Sequence, residues 1–234
     1  NDIKSLLAPD GVWCIQLSYI VLMLKNLNFY DICHEHLEYY SLRTLSNLME
    51  KYGLKIFDAT INEVNGGSVR VFITHKENNL SISENMKKLL QTEDDMKLYD
   101  VKTYTDFYER MEDLSKKVRE YIVSEINKGN NVIGLGASTK GNVLLQFFGI
   151  DKNILPYISE KNPMKVGLKT LGSDITLISE EHARSLKPSC MLVLPWYFKK
   201  EITEREKEYI ENGGKLLFPM PYPHLVTKDG EFNL

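Results

Sequence analysis

From Gly129 onward, short apolar runs alternate with amphipathic stretches, and that alternation restricts the fold more than any other feature of the chain. Gly129-Asn130-Asn131 signals a turn, after which Val132-Ile133-Gly134-Leu135-Gly136 reads as a strand and glycine loop entering a helix through Ala137-Ser138-Thr139-Lys140. Further apolar runs at Ile154–Ile158, Ser189–Leu194 and Lys215–Pro219 are accompanied by helical patterns near Glu180–Leu186 and Lys200–Asn212. Parallel strands need a crossover of about a dozen residues, usually a helix, so this alternation predicts a small parallel α/β domain over 129–234.

The earlier part reads differently. Val12–Leu17 is a short buried strand bounded by Pro9-Asp10-Gly11, and Ser41–Gly53 is a helix with Leu42, Leu45, Leu48 and Met49 at helical spacing. Ser41 is its N-cap and Gly53 its stop. Leu54–Ala59 and Val69–Ile73 read as strands joined through a Gly-Gly turn, so residues 1–80 form a first domain. Between them and the second domain, 81–128 is charged and helical, and Glu93-Asp94-Asp95 within it reads as a solvated face.

Composition narrows the function. A net charge of −3 offers no electrostatic footprint for nucleic acid. The longest apolar runs, such as Ile20–Leu24, are too short to span a bilayer, so no membrane partner is expected. Cys14, Cys33 and Cys190 are widely spaced, which reads as a reduced cytoplasmic protein rather than a disulfide framework.

The richest chemistry lies in Phe29–Leu42, where Cys33, His34, Glu35 and His36 are consecutive. On an extended backbone both imidazoles would face one way and Cys33 and Glu35 the other. Such a cluster suits proton transfer, an ordinary polar loop, or zinc, although no second cluster at metal-ligand spacing completes a tetrahedral shell. Asn65-Gly66-Gly67-Ser68 reads as a hairpin turn that needs positive φ. The loop Gly134–Lys140 either packs a strand tightly onto a helix or offers backbone amides and the Lys140 charge to a phosphate, yet it lacks the third glycine of a dinucleotide fingerprint. Pro195-Trp196-Tyr197-Phe198 follows a predicted strand, where open α/β sheets meet ligands, and equally suits a core between domains.

Four of these segments, in order, resemble the sugar C-methyltransferases: the Pro9-Asp10-Gly11 turn with its strand, the Ile32–Leu37 segment, Asn65–Val71 and Gly134–Asn142. The resemblance implies the C-terminal part of a class I methyltransferase sheet, then helices, then a small Rossmann-like parallel α/β domain. It also implies S-adenosylmethionine as methyl donor and a nucleotide-linked keto-sugar as acceptor. The family's cysteine-rich zinc segment and glycine-rich cofactor loop precede the part that aligns here, so the chain is expected to be the C-terminal portion of a longer enzyme. Zinc and most of the donor site then fall outside it.

By the same resemblance His36 is the base, Glu35 orients its neighbours or bonds the sugar, and Cys33 and His34 complete the catalytic segment. Asn65, Gly66, Gly67 and Arg70 border the sugar, while Gly134, Gly136, Ala137, Ser138, Lys140 and Trp196 hold the nucleotide-sugar. The chain departs from the family pattern at Cys33, where many relatives carry tyrosine. A competing expectation is a module without catalysis, in which the second domain binds a nucleotide or sugar.

Overall fold

The computed structural model describes residues 2–234, apart from the side chain of Asn65. It is a mixed α/β structure with two separate sheets, and it divides into two compact units. One unit comprises the chain up to Phe29 together with His36–Tyr108, and the other comprises Tyr30–Glu35 with Glu109–Leu234.

The first unit runs α1 (Asp2–Leu6), β1 (Trp13–Ser18), α2 (Ile20–Asn26), α3 (Leu42–Lys51), β2 (Leu54–Asn62), β3 (Ser68–His75) and α4 (Glu84–Asp95). Its three strands lie in the order β1-β3-β2, with β3 antiparallel to both neighbours. In β3 the β-branched Val69, Val71 and Ile73 are buried while Arg70 between them is exposed, the alternation of a sheet packed on one face. Ser41 caps α3 through a reciprocal box with Thr44, and Gly53 takes the left-handed conformation beyond its end.

The hairpin turn expected at Asn65–Ser68 is present: β2 and β3 are antiparallel, Asn62 pairs with Ser68, and the loop between them holds a 3-10 turn over Val64–Gly66. Gly66 and Gly67 are both at positive φ, and a Cβ on Gly67 would come within 2.9 Å of Leu22. One expectation for this unit needs correction: Glu93 is not part of a solvated face. Only 2 % exposed, it accepts hydrogen bonds from the Tyr19 hydroxyl at 2.8 Å and from the backbone amides of Leu42 and Arg43 at the start of α3. Helix starts leave amides without partners, and a carboxylate there satisfies them with favourable charge.

Helix α5 (Val101–Asn127) continues across the boundary between the units. The second unit then contains β4 (Val132–Leu135), α6 (Thr139–Phe147), β5 (Tyr157–Glu160), β6 (Thr176–Ser179), α7 (Glu180–Ser185), β7 (Cys190–Val193), α8 (Lys199–Arg205), α9 (Lys207–Glu211), β8 (Lys215–Phe218), β9 (His224–Thr227) and β10 (Gly230–Asn233). Its sheet has the order β10-β9-β8-β7-β4-β5-β6. Every residue of β4 and β7 is buried, as expected for parallel strands covered on both faces.

This sheet is larger than the small parallel sheet predicted, and mixed. The strands β8-β7-β4-β5-β6 are parallel, and β9 and β10 add an antiparallel edge. The run predicted at Ile154–Ile158 is displaced to Tyr157–Glu160, because Pro156 has no amide to donate to a ladder and the strand begins after it. The helix predicted over Lys200–Asn212 is broken at Glu206, whose buried carboxylate takes Arg184 and Arg205.

Counted among the parallel strands alone, β4 is first, and the spatial order is third, second, first, fourth, fifth. That is the doubly wound order, in which the strand order reverses between the first and fourth strands. The crevice at this reversal lies outside the carboxyl ends of β4 and β7.

Candidate functional site

The loops leaving β4 and β7 meet at the reversal point. Gly136 has φ of +77° and donates its amide to the Ser159 carbonyl at 2.8 Å; a Cβ there would stand 2.8 Å from Pro195. Only glycine lets the two loops approach this closely. Ser138 caps α6 by accepting from the Gly141 amide at 2.9 Å and shares a hydrogen bond with the Tyr197 hydroxyl. Gly134 lies within β4, where a Cβ would come within 2.6 Å of Ile158, so its role in this geometry is strand packing.

The segment Tyr30–Glu35 belongs to this unit and reaches the same loops. Lys140, in the first turn of α6, places its ammonium 3.0 Å from Asp31 Oδ1 and over the rings of Tyr30 and Tyr197, at 4.7 Å and 5.4 Å from their centroids. Tyr30 packs edge-on against Trp196, with centroids 5.2 Å apart. Burial raises the Tyr30 phenol far above its ordinary range, and the adjacent Asp31 carboxylate adds to that shift. Tyr197 is raised as well, chiefly by burial. Both therefore stay protonated hydrogen-bond donors. The Tyr30 hydroxyl and the Trp196 Nε1 are buried with no protein partner.

Cys33–Glu35 form a bend and turn rather than an extended strand, so the two-faced arrangement of imidazoles does not arise. The Cys33 amide donates to the Asp31 carbonyl at 3.0 Å. His34 is exposed, with Nδ1 3.2 Å from the Glu35 carboxylate, and His36 is exposed too. Among the described residues no group of three or more His, Cys, Asp and Glu side chains is arranged to hold a metal ion.

The remaining predicted residues lie in the other unit. Arg70 is exposed on β3 and donates to Gln16 Oε1 at 3.0 Å, and the Gly66 carbonyl accepts from the Asn28 side chain at 2.8 Å. The Asn65 side chain lies outside the described residues. The three strands of that unit pair only antiparallel, β3 with each neighbour. No helix is long and apolar enough to cross a membrane.

Residues 63–221 match the C-methyltransferase C-terminal domain family. The chain is also 34% identical over 229 residues to the C-methyltransferase NovU of Streptomyces niveus, covering 98% of this chain and 54% of that relative. The chain belongs to the C-methyltransferase family. It spans about half the length of the curated relative it matches and corresponds to the C-terminal portion of such an enzyme.

In this C-methyltransferase portion the sequence reading assigned Lys140, Ser138 and Trp196, with Tyr197 in the same aromatic segment, but left Tyr30, Asp31 and Glu160 without roles. Tyr30 and Asp31 adjoin the histidine cluster, and that adjacency was the available signal. Glu160 was hidden by the misplaced strand end. Another cavity, about 760 Å³, opens at the amino ends of β7 and β8 beside Ser189 and Gly214. Its Arg184 and Arg205 are already paired with Glu206, and the carboxyl-end crevice is the better candidate for ligand binding.

Proposed function

We propose that this chain is the acceptor-binding and base-bearing portion of a cytoplasmic S-adenosylmethionine-dependent methyltransferase that methylates carbon on a nucleotide-linked keto-sugar. The observation that carries this reading is the Lys140–Asp31 pair at 3.0 Å, which ties the segment leading into His36 to the glycine loop of the doubly wound unit. A nucleotide seated at that loop then lies beside the segment Tyr30–Glu35, which immediately precedes the proposed base in the sequence. The methyl donor is held by a part of the enzyme outside these residues.

In this account the glycine loop and the start of α6 receive the diphosphate, and Ser138 and Tyr197 supply neutral hydroxyl donors beside it. Imidazole, with an ordinary pKa near neutrality, suits removal of a proton beside a carbonyl. His36 takes that proton and leaves an enolate whose carbon is the nucleophile. Glu35 orients the neighbouring groups or accepts from a sugar hydroxyl.

Calorimetric titration of the chain separates this from its alternative. Uptake of a nucleoside diphosphate with no uptake of S-adenosylhomocysteine supports the acceptor role. Tight binding of S-adenosylhomocysteine, or no binding of any nucleoside diphosphate, contradicts it. A non-catalytic nucleotide-binding module would bind the diphosphate yet leave activity of the complete enzyme unchanged when His36 is replaced.

A further inference from the structure

A second cavity, about 420 Å³, lies at the reversal point itself, lined among others by Gly136, Ser159, Glu160, Pro195 and Phe198. Its volume lies within the range of about 300–1,000 Å³ usual for small-molecule sites. Glu160 ends β5, the strand beside β4, and is only 8 % exposed. In doubly wound folds that bind dinucleotides, an acidic residue about twenty positions beyond the glycines accepts hydrogen bonds from ribose hydroxyls. Glu160 occupies that place.

The carboxylate is held by the backbone. Oε1 accepts from the Asn162 amide at 2.8 Å and Oε2 from the Ala137 amide at 3.2 Å, with the Lys165 ammonium 3.9 Å from Oε2. An ionised carboxylate has roughly four acceptor positions, so these bonds fix its orientation and leave capacity for a ligand donor. Glu180 and Glu201 also line the cavity, and Arg205 there is 3.4 Å from Glu180. Lys161 lines the cavity too, so three carboxylates face two cations and the wall offers acceptors rather than a cationic seat for a phosphate. It favours a neutral group that donates hydrogen bonds.

We infer that this cavity receives the furanose ring of the nucleotide, with Glu160 accepting a hydrogen bond from a ring hydroxyl. The inference rests on the proposed nucleotide-sugar acceptor, and it fixes which end of that acceptor enters the cavity: the nucleoside, not the diphosphate.

Titrating the chain with uridine diphosphate, its 2′-deoxy form and its 2′,3′-dideoxy form provides the test, on the unaltered protein and on Glu160→Gln. A hydrogen bond to a charged acceptor predicts that removing the recognised hydroxyl weakens binding to the unaltered protein about 10-fold or more. The step at which the loss falls tells which hydroxyl is read. In Glu160→Gln the fully hydroxylated ligand should bind about 10-fold more weakly, and hydroxyl removal should then have an effect below about 2-fold. Equal affinity of the unaltered protein for all three ligands overturns the inference and leaves the nucleotide reading standing, whatever the variant does. Equal hydroxyl sensitivity in both proteins overturns it as well. Failure of the unaltered protein to bind any of the three overturns the nucleotide reading and this inference together.

Discussion

The ammonium of Lys140 lies 3.0 Å from the Asp31 carboxylate and is flanked by the rings of Tyr30 and Tyr197. Asp31 is almost fully buried and Lys140 largely so, which keeps the pair out of the solvent screening that weakens surface salt bridges. Lys140→Met should therefore cost about 3 kcal/mol in the local stability of the 30–35 segment. Amide hydrogen exchange across Tyr30–Glu35 reads it directly. Protection unchanged from the unaltered protein would show that the pair does not hold the segment.

Glu93 is a structural carboxylate. Glu93→Ala leaves the amides that begin α3 and the Tyr19 hydroxyl without their acceptor, and should cost about 2–4 kcal/mol. Glu93→Gln, which keeps one acceptor oxygen, should cost less. Urea unfolding followed by far-ultraviolet circular dichroism gives both values, and a loss below about 0.5 kcal/mol for the alanine variant would contradict the clamp.

His224 is buried, stacks on Phe218 with centroids 5.4 Å apart, and has Nδ1 2.9 Å from the Tyr222 carbonyl. Burial lowers its pKa, against a smaller opposing effect of the Tyr222 carbonyl. With the folded value below the unfolded one of about 6.5, its stabilising contribution is present above that pH and is lost as pH falls through the folded value. Melting temperatures of the unaltered protein should therefore fall more steeply below about pH 6.5 than those of His224→Phe. Parallel pH profiles would remove His224 as the cause.

Much of this architecture was legible because the residues announce it locally. Ser41 and Gly53 mark the ends of α3, and the buried runs of β4, β7 and β8 are short, apolar and separated by helices. The edge strands were not legible: β10 is exposed along its whole length, so no apolar pattern marks it. Glu93 looked solvated since a charge run carries no sign of the distant helix start that it satisfies. In the site, the glycine loop and Trp196 could be read from the strands preceding them. Asp31 and Glu160 depend on pairing with Lys140 and with the Ala137 amide, across separations that no periodicity encodes.

His36 carries the chemistry of the account, and isotope exchange tests it apart from methyl transfer. The complete enzyme is incubated with a nucleotide-linked keto-sugar in deuterated water, and the proton beside the carbonyl is followed by nuclear magnetic resonance. The unaltered enzyme should exchange it, and His36→Asn should slow both exchange and methylation by about 10²–10⁴ with little change in nucleotide-sugar affinity. Unaltered rates of exchange and methylation in a correctly folded His36→Asn enzyme would contradict the assignment of His36 as the base.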